Sequence, residues 1–350
     1  MAPEVIEHAS GYEQPYCRAV NCEYLVDTLY WLGHKIYVII PSCIKETCVF
    51  FYEKIKEVLS AFQLGVSAMS ATVQAICSFG PISVRELASD ADQRVYQARV
   101  CALEKKADYP LGPNERFKID HGLDYFAFFK RLGLMHYFVA QDEERVVGVA
   151  AGVLRTIPFK EGQESQKTWY LCDLKIDPDY RGRHIPIYMF MRAAYNALTC
   201  FRGYAISMNP ANGQNRIVKM FKNYSWAPIS QPKVLHIFSM NVQEMKKHEA
   251  LLKEHRGEIS YLSLQGKKDL VLQSSGKPLP LLHAQFGPCK DINPTHQVPQ
   301  EGYTHMFCVP ESDPLFTAFA AQKVEPAATA SIISSGMEAT DWKFILTSDI

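Results

Sequence analysis

Along residues 82–240 the spacing of apolar positions changes period repeatedly, and each change marks an element. Residues 82–87 read as a strand, and residues 90–105 carry Val95, Ala98, Val100 and Leu103 on a helical pattern. Residues 125–132 are a second, short apolar helix. Residues 135–140 and 145–157 then alternate as two strands joined by the acidic turn Gln141-Asp142-Glu143-Glu144. A polar loop over 160–166 leads into WYLCDLKI, residues 169–176, the pattern of a buried strand, which Pro178 ends. Helical spacing resumes over 187–198. The turn 200–203 closes that helix, 204–208 is the next strand, Asn215 leads another helix, and 233–240 is a last strand.

The flanks read differently. Residues 24–40 and 50–79 suit helices, with Pro41 as a break and Gly80-Pro81 as a boundary. After residue 240 comes an amphipathic helix, 242–255, carrying Met245, Leu251 and Leu252. Short strands follow over 259–264, 270–273 and 305–309, and 279–288, with His283, reads as a strand or a covering loop. Residues 327–335 are small and polar enough to predict a mobile linker. The expected architecture is α/β (α+β): a mixed central sheet flanked by helices over 82–240, a helical N-terminal segment over 1–80 of no legible role, and a C-terminal α+β extension over 241–350. That extension is expected to complete a substrate site or to make a homodimer contact. No internal repeat is evident.

One turn carries a chemical signal. Between the strand at 169–176 and the helix after it stand Arg181, Gly182, Arg183, His184 and Ile185. Backbone N–H groups at a helix start, a glycine free to take unusual dihedrals and two arginines make a pyrophosphate cradle, hence a site for a phosphorylated cofactor. An ordinary solvated turn is the plainer reading.

Composition narrows the field. The 350 residues hold 37 basic and 37 acidic side chains, so no basic excess points to nucleic acid. The ten cysteines form no CxxC pair and no Cys/His ligand cluster, which predicts reduced thiols, no metal and a cytoplasmic location. Residues 59–84 hold no formally charged residue, a length that would cross a bilayer of ~30 Å. Ser60, Gln63, Ser67, Ser70, Thr72, Gln74 and Ser78 dilute the run, so a buried or partner-covered helix pair is expected in place of a membrane span.

The run Ile176-Asp177-Pro178-Asp179-Tyr180-Arg181-Gly182 resembles the strand-to-helix turn of the GCN5-related N-acetyltransferase (GNAT) superfamily, which holds the pyrophosphate of acyl-CoA. A second piece follows in the right order. Asn215 matches the family's helix-leading asparagine approximately, Phe221 stands where it has a tyrosine, and Ser225-Trp226 replaces its Gly-Phe pair. The resemblance covers about residues 82–240. Two further positions depart from the pattern: His184 replaces a glycine, and Pro186, with no N–H, replaces a small residue. Pro186 near the first helical turn is nonetheless tolerable as structure.

The resemblance implies acyl transfer from acetyl-CoA, or another acyl-CoA, to an amine of a small molecule or protein. The turn Arg181 to Ile185 would hold the donor, and backbone N–H groups of Leu174, Lys175 and Ile176 would polarise the thioester carbonyl. The small residues Gly148, Ala150, Ala151 and Gly152 would leave room for a ligand; a kink or bulge is the alternative. Asp173 is the candidate base, with pairing to Arg155 or Lys175 as the plainer role, and Tyr170 is expected on the opposite face by strand parity. His184 and Asp177 are other titratable groups nearby. Phe221 lacks the hydroxyl that would protonate departing CoA, and Tyr224, one turn on, is the substitute, or else a core or exposed tyrosine. Two alternatives stay open: a GNAT-like module without catalysis, and an acyltransferase fed by a long-chain acyl-CoA or an acyl carrier protein.

Overall fold

The computed structural model describes residues 82–111, 115–160, 162–197, 199–210, 214–222, 229–287, 290–291 and 293–350. The helices expected over 24–40 and 50–79, and the apolar run from 59 as far as 81, lie outside them. In chain order the elements are β1 (Ile82–Glu86), α1 (Asp90–Glu104), β2 (Tyr109–Leu111), β3 (Glu115–Asp120), α2 (Ala127–Leu132), β4 (Leu134–Asp142), β5 (Arg145–Ile157) and β6 (Gln166–Ile176). Then come α3 (Ile185–Ala197), β7 (Gly203–Met208), α4 (Arg216–Lys222), β8 (Lys233–Met240), α5 (Val242–Arg256), β9 (Ser260–Leu262) and β10 (Asp269–Leu272). The last are β11 (Leu281–Gln285), β12 (Thr304–Pro310), α6 (Pro314–Ala321) and β13 (Ala328–Ser335). No helix among the described residues is long and apolar enough to cross a membrane.

Ten strands form one mixed sheet in the order β1-β4-β5-β6-β7-β13-β8-β12-β11-β9. The pairs β6–β7 and β11–β12 are parallel, the rest antiparallel. A second sheet, β10-β3-β2, is antiparallel throughout and joins residues from either side of β4–β8. Strict alternation sorts side chains between two faces. Tyr137, Val139, Leu235, Ile237, Met306 and Cys308 face the largest core cluster, with α1 and α2. Their neighbours Phe138 and Ala140 pack with Ile185 and Met189 of α3. Phe238, Met240, Phe307 and Val309 pack against α5 and α6.

Local chemistry sets the helix starts. Ser89 and Asp92 form a capping box for α1, and Asn241 and Glu244 one for α5. The buried stripe of α1 is Gln93, Tyr96, Val100, Leu103 and Glu104, while Val95 is 66% exposed. Glu104 is thereby carried into the core at the helix end.

The segment 327–335, expected as a linker, is instead a central strand. β13 pairs with β7 from Ala330↔Met208 to Ser335↔Gly203 and with β8 from Ala328↔Ile237 to Ile332↔Lys233. Its alanines and serines suit a strand with neighbours on both edges, a placement that its polarity conceals. The sheet accordingly has no break at residue 240, and the described residues from 82 to 350 belong to one compact unit.

Candidate active site

The site is built around a bulge in β6. Val149 pairs with Lys175 and Ala151 with Cys172, so Asp173 and Leu174 together stand opposite Ala150. Asp173 takes φ +56°, the left-handed region that few non-glycine residues adopt. The bulge defeats the parity expectation for Tyr170. Asp173 accepts a hydrogen bond from Tyr137, which belongs to the same core face as Tyr170. An extra residue inverts the alternation, so the two side chains share a face.

Asp173 is the centre of a buried polar network. Its side chain is 3% exposed. Tyr137 donates to it at 2.6 Å, and the Lys175 ammonium donates to its other oxygen and to Glu104 at 2.6 Å. The Tyr125 hydroxyl lies 2.9 Å from both carboxylates and bridges them. Burial, with Asp173 beside them, holds the Tyr125 and Tyr137 phenols well above the usual range, so both remain donors. Burial opposes the charge on Lys175, but Asp173, Tyr109 and Glu104 outweigh it and keep the ammonium protonated. Of the two partners expected for Asp173, Lys175 is the one found. Arg155 pairs with Asp349 at 2.7 Å and donates to Tyr204 at 2.8 Å.

A ring nitrogen of His121 and carboxylate oxygens of Glu104 and Asp173 lie within 4.8 Å of one another. That is a donor set a cation accepts, but Lys175 already bonds both carboxylates.

β6 and β7 are hydrogen-bonded only from Trp169↔Gly203 to Leu171↔Ala205. Both strands continue without pairing to each other, and a cavity of about 930 Å³ reaches between them, touching Asp173–Ile176 on one side and Ile206–Met208 on the other. The opening bares the edge of β6 at Leu174, Lys175 and Ile176. Trp169 lines the same cavity, and its buried indole Nε1 has no hydrogen-bond partner among the described residues.

The basic turn lies between β6 and α3. Asp177 begins it: its carboxylate accepts from the Asp179 N–H and pairs with Lys106 at 2.7 Å and Arg145 at 2.8 Å. Burial pushes this carboxyl up, and the two cations outweigh that and hold it below the usual range. Gly182 has φ +81° and open space where a Cβ would stand, and His184 has φ +52°. Two left-handed residues in so short a stretch make a sharp turn between β6 and α3. Arg181 is exposed and lines the cavity; Arg183 lies 4.6 Å over the Tyr180 ring. Ile185 is buried and starts α3.

The remaining sequence candidates divide. Asn215 caps α4, accepting from the N–H of Ile217 and Val218, while its amide donates to Ser207, Met208 and Asn209. Phe221 lines the cavity, 6.0 Å from the Phe190 ring. Tyr224, Ser225 and Trp226 lie outside the described residues. The small residues of β5 serve two purposes. A Cβ on Gly148 would stand 2.9 Å from Ile176 Cδ1 and 3.1 Å from Ile185 Cγ2, so Gly148 lets α3 approach the sheet. Ala150, Ala151 and Gly152 line the cavity. Glu104, His121, Tyr125, Tyr137 and Lys268 were not legible as site residues: Glu104 ends α1, His121 and Tyr125 lie in the loop between β3 and α2, Tyr137 is on β4 and Lys268 precedes β10, and no spacing in the chain unites them.

Residues 99–185 match the family model described as acetyltransferase (GNAT) family. An uncharacterised protein, L340, of Acanthamoeba polyphaga mimivirus is 27% identical over 234 residues, 65% of this chain and 68% of its own length. Among solved structures, an acetyltransferase of Trypanosoma brucei is 16% identical, over 41% of this chain and 91% of its own, with a TM-score of 0.28. A tandem GNAT protein from the clavulanic acid biosynthesis pathway is 12% identical, over 73% of this chain and 98% of its own, with a TM-score of 0.40. Likenesses at these scores transfer no residue role.

Proposed function

We propose that this chain, which belongs to the GNAT superfamily, is an acyl-CoA-dependent N-acyltransferase, most simply an N-acetyltransferase. The observation that carries the reading is the parting of β6 from β7 beyond Leu171, which opens a cavity between two strands that otherwise lie in one sheet. An acyl-CoA fits the groups present. The bared β6 edge offers hydrogen bonds to an amide-bearing chain, and the Arg181–Ile185 turn offers N–H groups and positive charge to a pyrophosphate.

When bound, acyl-CoA supplies a thioester carbonyl for attack by an amine. The chain's own part is to hold, orient and exclude water. N–H groups of Leu174 to Ile176 are proposed to face that carbonyl. Asp173 already carries donors from Lys175 and Tyr137 and shares Tyr125, so we assign it to positioning this wall of the site and not to taking the amine's proton.

Thermal unfolding of the full chain with excess acetyl-CoA, coenzyme A and a longer acyl-CoA tests the reading. A ligand at roughly 100 times its dissociation constant stabilises the native state by ~2.7 kcal/mol. The expected result is a rise of several degrees with a donor, absent in Gly182→Glu and retained in Gly182→Asn, an uncharged residue that tolerates the left-handed region, together with acyl transfer to an amine. No rise with any donor removes the reading. A rise without transfer to any amine leaves a binding module, and a rise confined to the longer donor reassigns the acyl group.

A further inference from the structure

The cavity crosses the main sheet where β6 parts from β7: Pro186 and Met189 of α3 line it on one face, and Phe128, Phe129 and Lys268 on the other. On the acyltransferase reading the donor is held by the turn before α3, so the attacking amine reaches its carbonyl from the opposite face. A base for that amine is therefore to be sought among the titratable groups on the α2 side. Strand pairing places Lys268 there. β3 and β10 pair with Asp120 opposite Asp269 at the end of the ladder, so His121 and Lys268 are the next residues on the two segments. Farther from the ladder Gly122 and Gly266 have φ +67° and +73°, and a Cβ on Gly122 would stand 2.0 Å from the Gly266 carbonyl oxygen, an approach that only glycine permits.

The other titratable groups described around Lys268 are committed. Asp173 carries the Lys175 ammonium and the Tyr137 hydroxyl, and Arg131 pairs with Asp291 at 3.0 Å and with Asp349 at 3.3 Å. Burial pushes the Cys172 thiol up, so it keeps its proton. His121 is 4% exposed, and its Nδ1 is closed off from the cavity. His283 Nδ1 lies 3.0 Å from the Thr347 hydroxyl, and burial, with the charges of Lys268 and Arg131, pushes the ring's pKa down to about 3. Lys268 differs from all of these. Its Nζ stands 4.1 Å over the Phe128 ring, has no carboxylate within 4.0 Å among the described residues, and is not one of the sealed side-chain atoms, so it is open to the cavity that the residue lines. Burial pushes its pKa down to about 8, with Cys172 and Asp173 opposing and Lys175 and Arg131 adding to it, which sets Lys268 beside the stretch of β6 that leads into the bared edge. An unpaired amine of that strength in the wall of a cleft is the state of a lysine that moves protons near neutral pH.

We propose that Lys268 is the general base of the acyl transfer, its neutral amine taking a proton from the acceptor amine in the cleft between β6 and β7. This rests on the acyltransferase reading and adds the group that moves the proton. An acceptor bound as the free amine bonds through its nitrogen to the thioester carbonyl carbon, and Lys268 Nζ takes one proton from that nitrogen. The carbon–sulfur bond then breaks with its electron pair left on sulfur, and the Lys268 ammonium passes the proton to the thiolate. The products are an amide and coenzyme A as its thiol, and Lys268 is neutral again. A thiol of pKa ~8.5 matches this lysine closely, so the last transfer is near balance in energy. The returned proton also supplies the acid that Phe221, without a hydroxyl, does not.

The test is the rate of thiol release by the full chain from acetyl-CoA with hydroxylamine, corrected for the uncatalysed reaction. Hydroxylamine is a small acceptor that stays uncharged across the neutral and mildly alkaline range, so its own titration does not enter. Wild-type turnover should rise with pH to a plateau above about 8, because only the neutral lysine accepts a proton. Lys268→Met should lower kcat by roughly 10²-fold to 10⁴-fold and lose that rise, while keeping the unfolding shift with acetyl-CoA. Lys268→Arg keeps a positive charge that cannot be removed, so it should be as slow as Lys268→Met. Wild-type turnover that is absent or does not change with pH, or a wild-type rate in Lys268→Met or Lys268→Arg, overturns the proposal. The acyltransferase reading fails separately: a wild-type chain that gains no stability from any acyl-CoA loses that reading, whereas full turnover in Lys268→Met removes the base and keeps the reading.

Discussion

Replacing Lys268 by methionine removes one charge from the cavity wall at nearly constant side-chain length. Burial, with Lys175 and Arg131 adding repulsion and Cys172 and Asp173 opposing it, lowers the Lys268 pKa from 10.5 to about 8. At about 1.4 kcal/mol for each tenfold change in proton affinity, that difference makes the ammonium cost ~3 kcal/mol near pH 7. The methionine also gives up the contact with Phe128, worth ~1 kcal/mol for a lysine over an aromatic face. The net expectation is a variant more stable by ~2 kcal/mol, a rise of about 4–8 °C in Tm for a unit of this size. The pH dependence follows from the direction of the shift. Between pH 8 and 10.5 the unfolded chain holds the proton that the folded chain has released, so wild-type stability rises through that window. The variant's advantage is therefore full below pH 8 and gone by pH 10.5. Paired urea melts at pH 7 and at pH 10.5 measure it. A less stable variant at pH 7, or an advantage unchanged at pH 10.5, would refute the account of Lys268 as a desolvated charge carried at a cost in stability.

Gly148→Val drives a side chain into Ile176 and Ile185, and overpacking of this kind should cost about 1–3 kcal/mol, read as a lower urea midpoint; an unchanged midpoint would mean that α3 does not pack on β5 this closely. Asp173→Asn leaves Lys175 with Glu104 as its one anionic partner, and breaking a buried pair should cost about 3 kcal/mol in stability, with lower turnover and a nearly intact shift with acetyl-CoA; wild-type stability would dissolve the network, and a wild-type rate would remove Asp173 from the reaction.

Elements with a local period were legible in the sequence: the strands of β4 to β6, the amphipathic α5 and the strand–turn–helix at Ile176 to Ile185 all follow from near neighbours in the chain. So did the family likeness, because its motif is contiguous. Tertiary structure decided the rest. β13 was hidden because both of its faces are covered, with Ala330 to Ser334 all buried, so it shows no alternation, and only its place in the order β7-β13-β8 makes it a strand. The face of Asp173 depended on one extra residue in β6, which inverts a period that sequence reading assumes unbroken. The meeting of His121 with Lys268 depended on pairing between β3 and β10, strands far apart in the chain and brought together by long-range contacts that no local spacing encodes.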